Sequence, residues 1–396
     1  MRVLLTSWAG GGHYAPLVPL GWALRAAGHE VLVACHPGQT DPILRSGLPA
    51  LPVGPDVDMF ALFRAKRRGG AWRPRGLAGN VENQRGYAGM LETAEAVADA
   101  LADELVAFCR GWRPDLVLHE PASLVGPLVA RLLDVPAVRQ LWTVDFTAPV
   151  NGFPATVEGE LPNRFGLESF GTAGDLTLDP CPPGLQVRDD LPRQPVRYIP
   201  YNGPAVLAPW LREPPVRRRI CVTWGTSLRE LGIERMRHVP RVVRALGALD
   251  AELVVAVLDS HRELFTDLPE NVRHIGPVPL HLLLPTCEAI VHQGGGGTLM
   301  TAVGCGTPQV IIPSIADQTF NADHVAATGA GVHVRSHEAA TAEEVCAATR
   351  QVLGDPAYRT AAEALRSEHL ARPAPAEVVP VLERLAFDRV AVASLG

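Results

Sequence analysis

Residues 291–325, VHQGGGGTLMTAVGCGTPQVIIPSIADQTFNADHV, put a strand, a glycine turn and a helix start in immediate succession. Ala289, Ile290 and Val291 form the apolar strand. His292 ends it, Gly294, Gly295, Gly296 and Gly297 follow, and Thr298 opens a helix that closes near Gly304. Backbone N–H groups at such a helix start point outward without partners, and an anion such as a diphosphate can take them. Glycines there let the anion reach the backbone, because no side chain holds it away. A strand, a glycine turn and a helix in this order constrain the segment to a parallel α/β sheet.

The rest of the chain has the same rhythm. Strand 2–6, helix 16–27 closed by Gly28, and strand 31–34 read as β-α-β. Helix 91–108, strand 116–118, helix 124–133 and strand 137–141 continue it, with an irregular Gly- and Arg-rich loop over 55–89. From 143 to 219 the periodicity fades and prolines accumulate. Strands then return at 220–224, 253–257, 272–275, 289–291 and 309–312, separated by helical stretches. Apolar strands alternating with helices specify parallel sheets covered on both faces. The fold class is therefore α/β, with two Rossmann-like domains whose facing cleft is a natural ligand site. The expected boundaries are an N-terminal domain over 1–203, a linker over 204–217 and a C-terminal domain over 218–375. Helical residues 376–396 are positioned to pack back on the first domain.

Composition removes several classes of function. No apolar run in the 396 residues approaches the roughly 18 needed to span a membrane, and Val3-Leu4-Leu5 is too short for a signal-peptide core, so the cytoplasm is expected. Seven scattered cysteines without a CxxC pair argue against a disulfide framework or a structural zinc site and read as reduced core thiols. A net charge of −6 disfavours general nucleic-acid binding. The AGGGHYAP turn after the first strand lacks the third glycine of a GxGxxG run. The second strand ends VLVACHPG, without the acidic residue that would hold a ribose, so nicotinamide binding is a poor reading.

Four segments together carry a family resemblance: GGGHYAPLVPLGWALRAAGHEV, VTWGTS, NVRHIGPVPLHLLLPTC and the 291–325 stretch. The chain resembles the two-domain GT-B glycosyltransferases of family one, and within them the bacterial enzymes that attach sugars to polyketide-type natural products. The resemblance implies inverting transfer of a deoxysugar from a nucleotide diphosphate sugar, with a thymidine diphosphate donor favoured over UDP-glucose. It assigns His13 as general base. Neutral imidazole, with an unperturbed pKa of about 6.5, can accept a proton from an attacking hydroxyl at pH 7. The bland alternative is that His13 only caps the following helix. Glu120 after PDLVLH is the candidate to orient that base, at a place where the family typically carries aspartate; its extra methylene puts the dyad geometry in question. His119 alternates to the opposite face of the strand and reads as a buried polar residue.

On the donor side the resemblance has His292 donating to the diphosphate. Gly294, Gly295, Gly296, Gly297 and Thr298 line the phosphate turn, and the hydroxyls of Thr226 and Ser227 close its opposite wall. Asp317 and Gln318 would read the sugar hydroxyls, since a carboxylate accepts twice and an amide both donates and accepts; Asp317 also suits a helix N-cap. Where the family commonly has a base-stacking tryptophan this chain has Pro277, which shifts base contact to the backbone of Val278, with Trp224 as an apolar substitute. Trp72, Trp142 and Phe146 offer aromatic surface to an apolar acceptor, or belong to the core. No metal is expected and no cofactor beyond the donor co-substrate, because helix dipoles can neutralise the leaving group. Two other classes stay open: a GT-B sugar-nucleotide epimerase, and a non-catalytic nucleotide-binding partner protein. A homodimer or a need for an auxiliary activator protein is likewise left open.

Overall fold

The computed structural model describes residues 1–8, 10–58, 61–62, 81–151, 153–225, 238–334 and 340–388. Contacts divide the chain into two compact units. One comprises Met1–Pro180, Val187–Tyr201 and Arg372–Gly396; the other comprises Cys181–Gln186 and Asn202–Ala371.

The first unit is built on strands β1 (Arg2–Thr6), β2 (Glu30–Cys35), β3 (Ala50–Pro52), β4 (Leu116–His119) and β5 (Ala137–Gln140). A small antiparallel ribbon, β6 (Thr156–Glu158) with β7 (Ser169–Gly171), precedes β8 (Leu176–Asp179) and β9 (Arg193–Pro195). Among the described residues the main sheet runs β3-β2-β1-β4-β5-β8-β9, and its pairings are parallel. The central strands β1 and β4 are nearly continuous runs of Val and Leu, buried except for Arg2 at the start of β1, because helices cover both faces. Those helices include α1 (Val18–Ala26), α2 (Val81–Trp112) and α3 (Val125–Leu133). α2 starts inside the segment that reads from sequence as a loop. Gly86 and Gly89 dilute its helical signal, since glycine is a poor helix former.

The second unit repeats the scheme with β10 (Arg219–Thr223), β11 (Glu252–Ala256), β12 (Val272–Gly276), β13 (Ala289–His292), β14 (Gln309–Ile311) and β15 (Gly331–His333). Their order is β12-β11-β10-β13-β14-β15, again parallel. Its helices include α4 (Val239–Leu246), α5 (Gly296–Cys305), α6 (Ala316–Ala327), α7 (Ala342–Gly354) and α8 (Pro356–Leu370). The segment read as a linker is docked on this unit. Leu211 joins its core cluster, and the Trp210 ring lies 5.1 Å from that of His274. The short excursion Cys181–Gln186 also belongs to it, tied by the Gly184 N–H donating to Glu368 at 2.9 Å.

The final helix, α9 (Pro375–Asp388), returns to the first unit and packs on α1. Val378, Val379, Leu382 and Leu385 enter the same core cluster as Val3, Leu5 and Leu118 of the central strands. His29 Nε2 lies 3.0 Å from Glu383 Oε1. None of the seven cysteines is in a disulfide, and six are buried. Among the described residues no helix is long and apolar enough to cross a membrane.

In each sheet the chain order reverses once beside the first strand, between β1 and β4 and between β10 and β13. Loops leaving the carboxyl ends of those two strands diverge to opposite sides and open a crevice at the sheet edge. Among the described residues, Gly10 to His13, Glu120, Trp224 with Gly225, and Gly294 to Gly297 come after the carboxyl ends of these four strands.

Leu382 is fully buried in the core of a unit whose sheet lies nearly two hundred residues or more earlier in the chain. Leu382→Ala should therefore destabilise the first unit by about 2–5 kcal/mol. Urea unfolding followed by tryptophan fluorescence would register this as a lower midpoint; an unchanged midpoint would mean that α9 does not belong to that core.

Candidate active site

At the first switch point Thr6 pairs with His119, so the residues just past them leave the sheet side by side. Glu120 is completely buried there. Its Oε1 accepts the Trp8 N–H at 2.6 Å, and its Oε2 accepts the Ala122 N–H at 2.9 Å. The remaining partner is His13, whose Nδ1 lies 3.0 Å from Oε2. The additional methylene of glutamate is thus accommodated and the dyad closes. With Glu120 accepting, the ring proton sits on Nδ1 and leaves the Nε2 lone pair as the basic position. Nε2 has no partner among the described residues, and the side chain keeps 23% of its surface open.

His13 belongs to a one-turn helix, Gly11–Tyr14, and its own N–H bonds to Gly10 O. The following helix is capped at Leu17 without any side chain, so His13 is not a cap. His119 turns inward. It is 1% exposed, contacts Glu120 O, and burial pushes its pKa down to about 3.

Two indoles flank the His13 ring. Trp142 is 4.5 Å away between centroids with planes at 55°, and Trp8 is 5.0 Å away and nearly perpendicular. Trp142 follows β5 on a loop fastened by a buried ion pair that the sequence reading missed. Arg139 Nη2 and Arg193 Nη2 both donate to Asp145 Oδ2, at 2.7 and 2.8 Å, and Arg139 also reaches the Thr147 hydroxyl. Phe146 is buried at 3% exposure between Trp142 and Phe153, so it packs as interior and offers a ligand little surface. A small cavity in the first unit is lined by Ala94, Ala122, Leu124 and Phe153, with Arg139 and Thr147 as polar members, and neither His13 nor Glu120 lines it. Trp72 lies outside the described residues.

The second switch point holds the glycine turn. Gly294 has φ +91°, and a Cβ there would meet Gln318 O and Ile311 Cγ2, both at 2.9 Å. Only glycine fits without strain. α5 begins at Gly296, two residues before the start suggested by Thr298, with Gly295 as an extended N-cap and no side-chain cap. Leu299 is the first residue whose N–H bonds back, to Gly295 O. Helix geometry therefore leaves the N–H groups of Gly296, Gly297 and Thr298 at its open end.

His292 takes a different place from the one expected. It is fully buried, its Nδ1 accepts the Gly294 N–H at 3.1 Å, and its Nε2 lies 2.9 Å from Gln309 Oε1. Since Nδ1 accepts, the single proton of the neutral ring is on Nε2 and is donated to Gln309. The ring has no N–H left for a diphosphate in this arrangement and instead braces the turn. Asn321 helps from α6 by donating to Gly294 O at 2.9 Å. Gln318 is buried, and its Oε1 accepts the Ser314 N–H.

Asp317 is half-buried in the first turn of α6. The N-cap of that helix is Ile315, so Asp317 does not cap it. Val278 is half-buried beside the core of the unit, and Trp224 is wholly buried, which removes it as a stacking surface. Thr226 and Ser227 lie outside the described residues.

Two parallel sheets with polar and glycine-rich loops at their switch points are the architecture expected of a GT-B protein, and similar solved structures are glycosyltransferases. The spinosyn forosaminyltransferase SpnP matches with a TM-score of 0.80 and 32% identity, over 98% of this chain and 99% of its own. The glycosyltransferase VinC in complex with dTDP also gives 0.80, with 34% identity, over 98% and 100%. Residues 22–225 match the family model described as Erythromycin biosynthesis protein CIII-like, N-terminal domain, and residues 240–385 match its C-terminal counterpart. The chain belongs to this family of natural-product glycosyltransferases. Among curated relatives, 10-deoxymethynolide desosaminyltransferase of Streptomyces venezuelae is 39% identical over 98% of this chain and 97% of its own.

Burial drives the pKa of His292 from 6.5 down to about 4. The folded state therefore binds a proton less readily than the unfolded state, and this contribution to stability is complete above pH 6.5 and lost as pH falls towards 4. Over that window the loss should be on the order of 3 kcal/mol. Urea midpoints measured from pH 7 to pH 4.5 should fall less steeply in His292→Gln than in the parent; parallel slopes would remove His292 as the cause.

Proposed function

We propose that this protein is an inverting glycosyltransferase that moves a deoxysugar from a dTDP-sugar to a hydroxyl of an apolar polyketide-type acceptor. The observation that carries the reading is the His13–Glu120 hydrogen bond at a sheet switch point, with Nε2 unengaged and the side chain partly open. In the proposed reaction Nε2 takes the acceptor hydroxyl proton as that oxygen bonds to the anomeric carbon. The bond from this carbon to the diphosphate breaks, and its electron pair leaves with the nucleotide. Glu120 holds the ring in the required tautomer and stabilises the imidazolium that forms.

The leaving diphosphate gains negative charge as the bond breaks. The amides of Gly296, Gly297 and Thr298, aligned with the dipole of α5, are suited to that charge and require no metal ion. Gly294 and Gly295 keep the approach free of side chains. His292, Gln318 and Asn321 hold the turn open from behind, and Asp317 is the side chain suited to hydroxyls of the sugar. The dTDP preference is supported by VinC, solved with dTDP. A deoxysugar and a polyketide-type acceptor are supported by the relative named for desosamine transfer to 10-deoxymethynolide. Relatives named for sugar transfer weigh against an epimerase or a non-catalytic partner.

With a dTDP-deoxysugar and a macrolactone acceptor, His13→Ala should reduce turnover by about 100-fold or more, while dTDP binding by calorimetry stays within about two-fold. Mass spectrometry of the acceptor reports the product. Undiminished turnover would exclude His13 as the base, and donor isomerisation in the absence of acceptor would favour the epimerase.

A further inference from the structure

The indole of Trp142, fixed against His13, has no place in the reaction scheme so far. We infer that Trp142 is a positioning residue for the general base, forming with Trp8 an aromatic clamp that holds the imidazole and favours its charged form in the transition state. The inference rests on the proposed role of His13.

Three features of the site support it. Trp142 is only 7% exposed and its centroid lies 4.5 Å from that of His13, within the roughly 6 Å over which an aromatic ring stabilises a cation. Trp8, also 7% exposed, flanks the same ring at 5.0 Å while its backbone N–H holds Glu120. One residue thereby fixes both members of the dyad. The loop carrying Trp142 is anchored as well: Leu141 N–H bonds to Leu178 O, and Asp145 takes two guanidinium groups. The imidazole is thus restrained at Nδ1 by Glu120 and at its sides by the two indoles, which leaves Nε2 as the working atom.

Stabilising a cation that forms only as the proton transfers raises kcat and leaves ground-state acceptor binding nearly unchanged. Aromatic packing on the acceptor itself would act on KM instead. The experiment compares Trp142→Phe, which keeps an aromatic ring, with Trp142→Met, which fills similar space without one. His13→Ala serves as the control, and the substrates are the dTDP-deoxysugar and macrolactone above.

Trp142→Met should lose about ten-fold in kcat, equivalent to about 1.4 kcal/mol, with acceptor KM within about two-fold, and Trp142→Phe should recover most of the loss. Melting temperatures identify any variant that fails to fold, and Trp142→Phe alone still tests the clamp by its kcat and KM. A raised acceptor KM at unchanged kcat would make Trp142 an acceptor wall and overturn the inference. Equal loss in the Phe and Met variants would also overturn it. Full turnover in His13→Ala would instead overturn the underlying assignment of the base, independently of Trp142.

Discussion

The first unit's chemistry depends on how a fully buried carboxyl group is satisfied. An unpaired buried carboxyl costs several kcal/mol, so its oxygens must find donors. Glu120 finds them in the Trp8 and Ala122 amides and the His13 ring. Two of these donors come from the loop after β1 and one from its own loop after β4, so the group stitches the switch point together. The same bonds that make Glu120 tolerable in the interior also determine which nitrogen of His13 faces outward.

The second unit solves a related problem with a neutral ring. His292 sits at the end of a central strand with no exposure to water, where a charged imidazolium would be costly, and burial accordingly lowers its affinity for a proton. Accepting from Gly294 and donating to Gln309, it shapes the turn that leaves the α5 amides open. Asn321 and Gln318 complete the support from α6. The polar side chains nearest the glycines hold the backbone in place, and the backbone is the surface suited to an anion.

Much of this was legible in the sequence because its signals are local. Strands such as Val3–Leu5 and Ala289–Val291 are short apolar runs, and the glycine turn and Gly28 punctuate helices at expected places. His13 and Glu120 were identified through the family resemblance, and the structure brings them together. The proline-rich middle was less legible: β6 to β9 are only three or four residues long and carry little alternation, so they are defined by their pairing more than by their own sequence. Asn321, Trp8 and the Arg139–Asp145–Arg193 cluster gave no local signal. Each acts through a partner reached only when the chain is folded.

Sequence alone therefore determined that this chain forms parallel α/β sheets with a glycine turn before a helix, because strand and helix periodicity and glycine's conformational freedom operate over a few residues. Tertiary structure decided what the polar residues do. Burial and partner geometry turned His292 from an expected phosphate donor into an internal brace and set Trp142 against the base. Those outcomes depend on partners that local periodicity does not reveal, from Gln309 on the next strand after His292 to Trp142 beside His13, coming within about 3–5 Å, at which hydrogen bonds and ring contacts act.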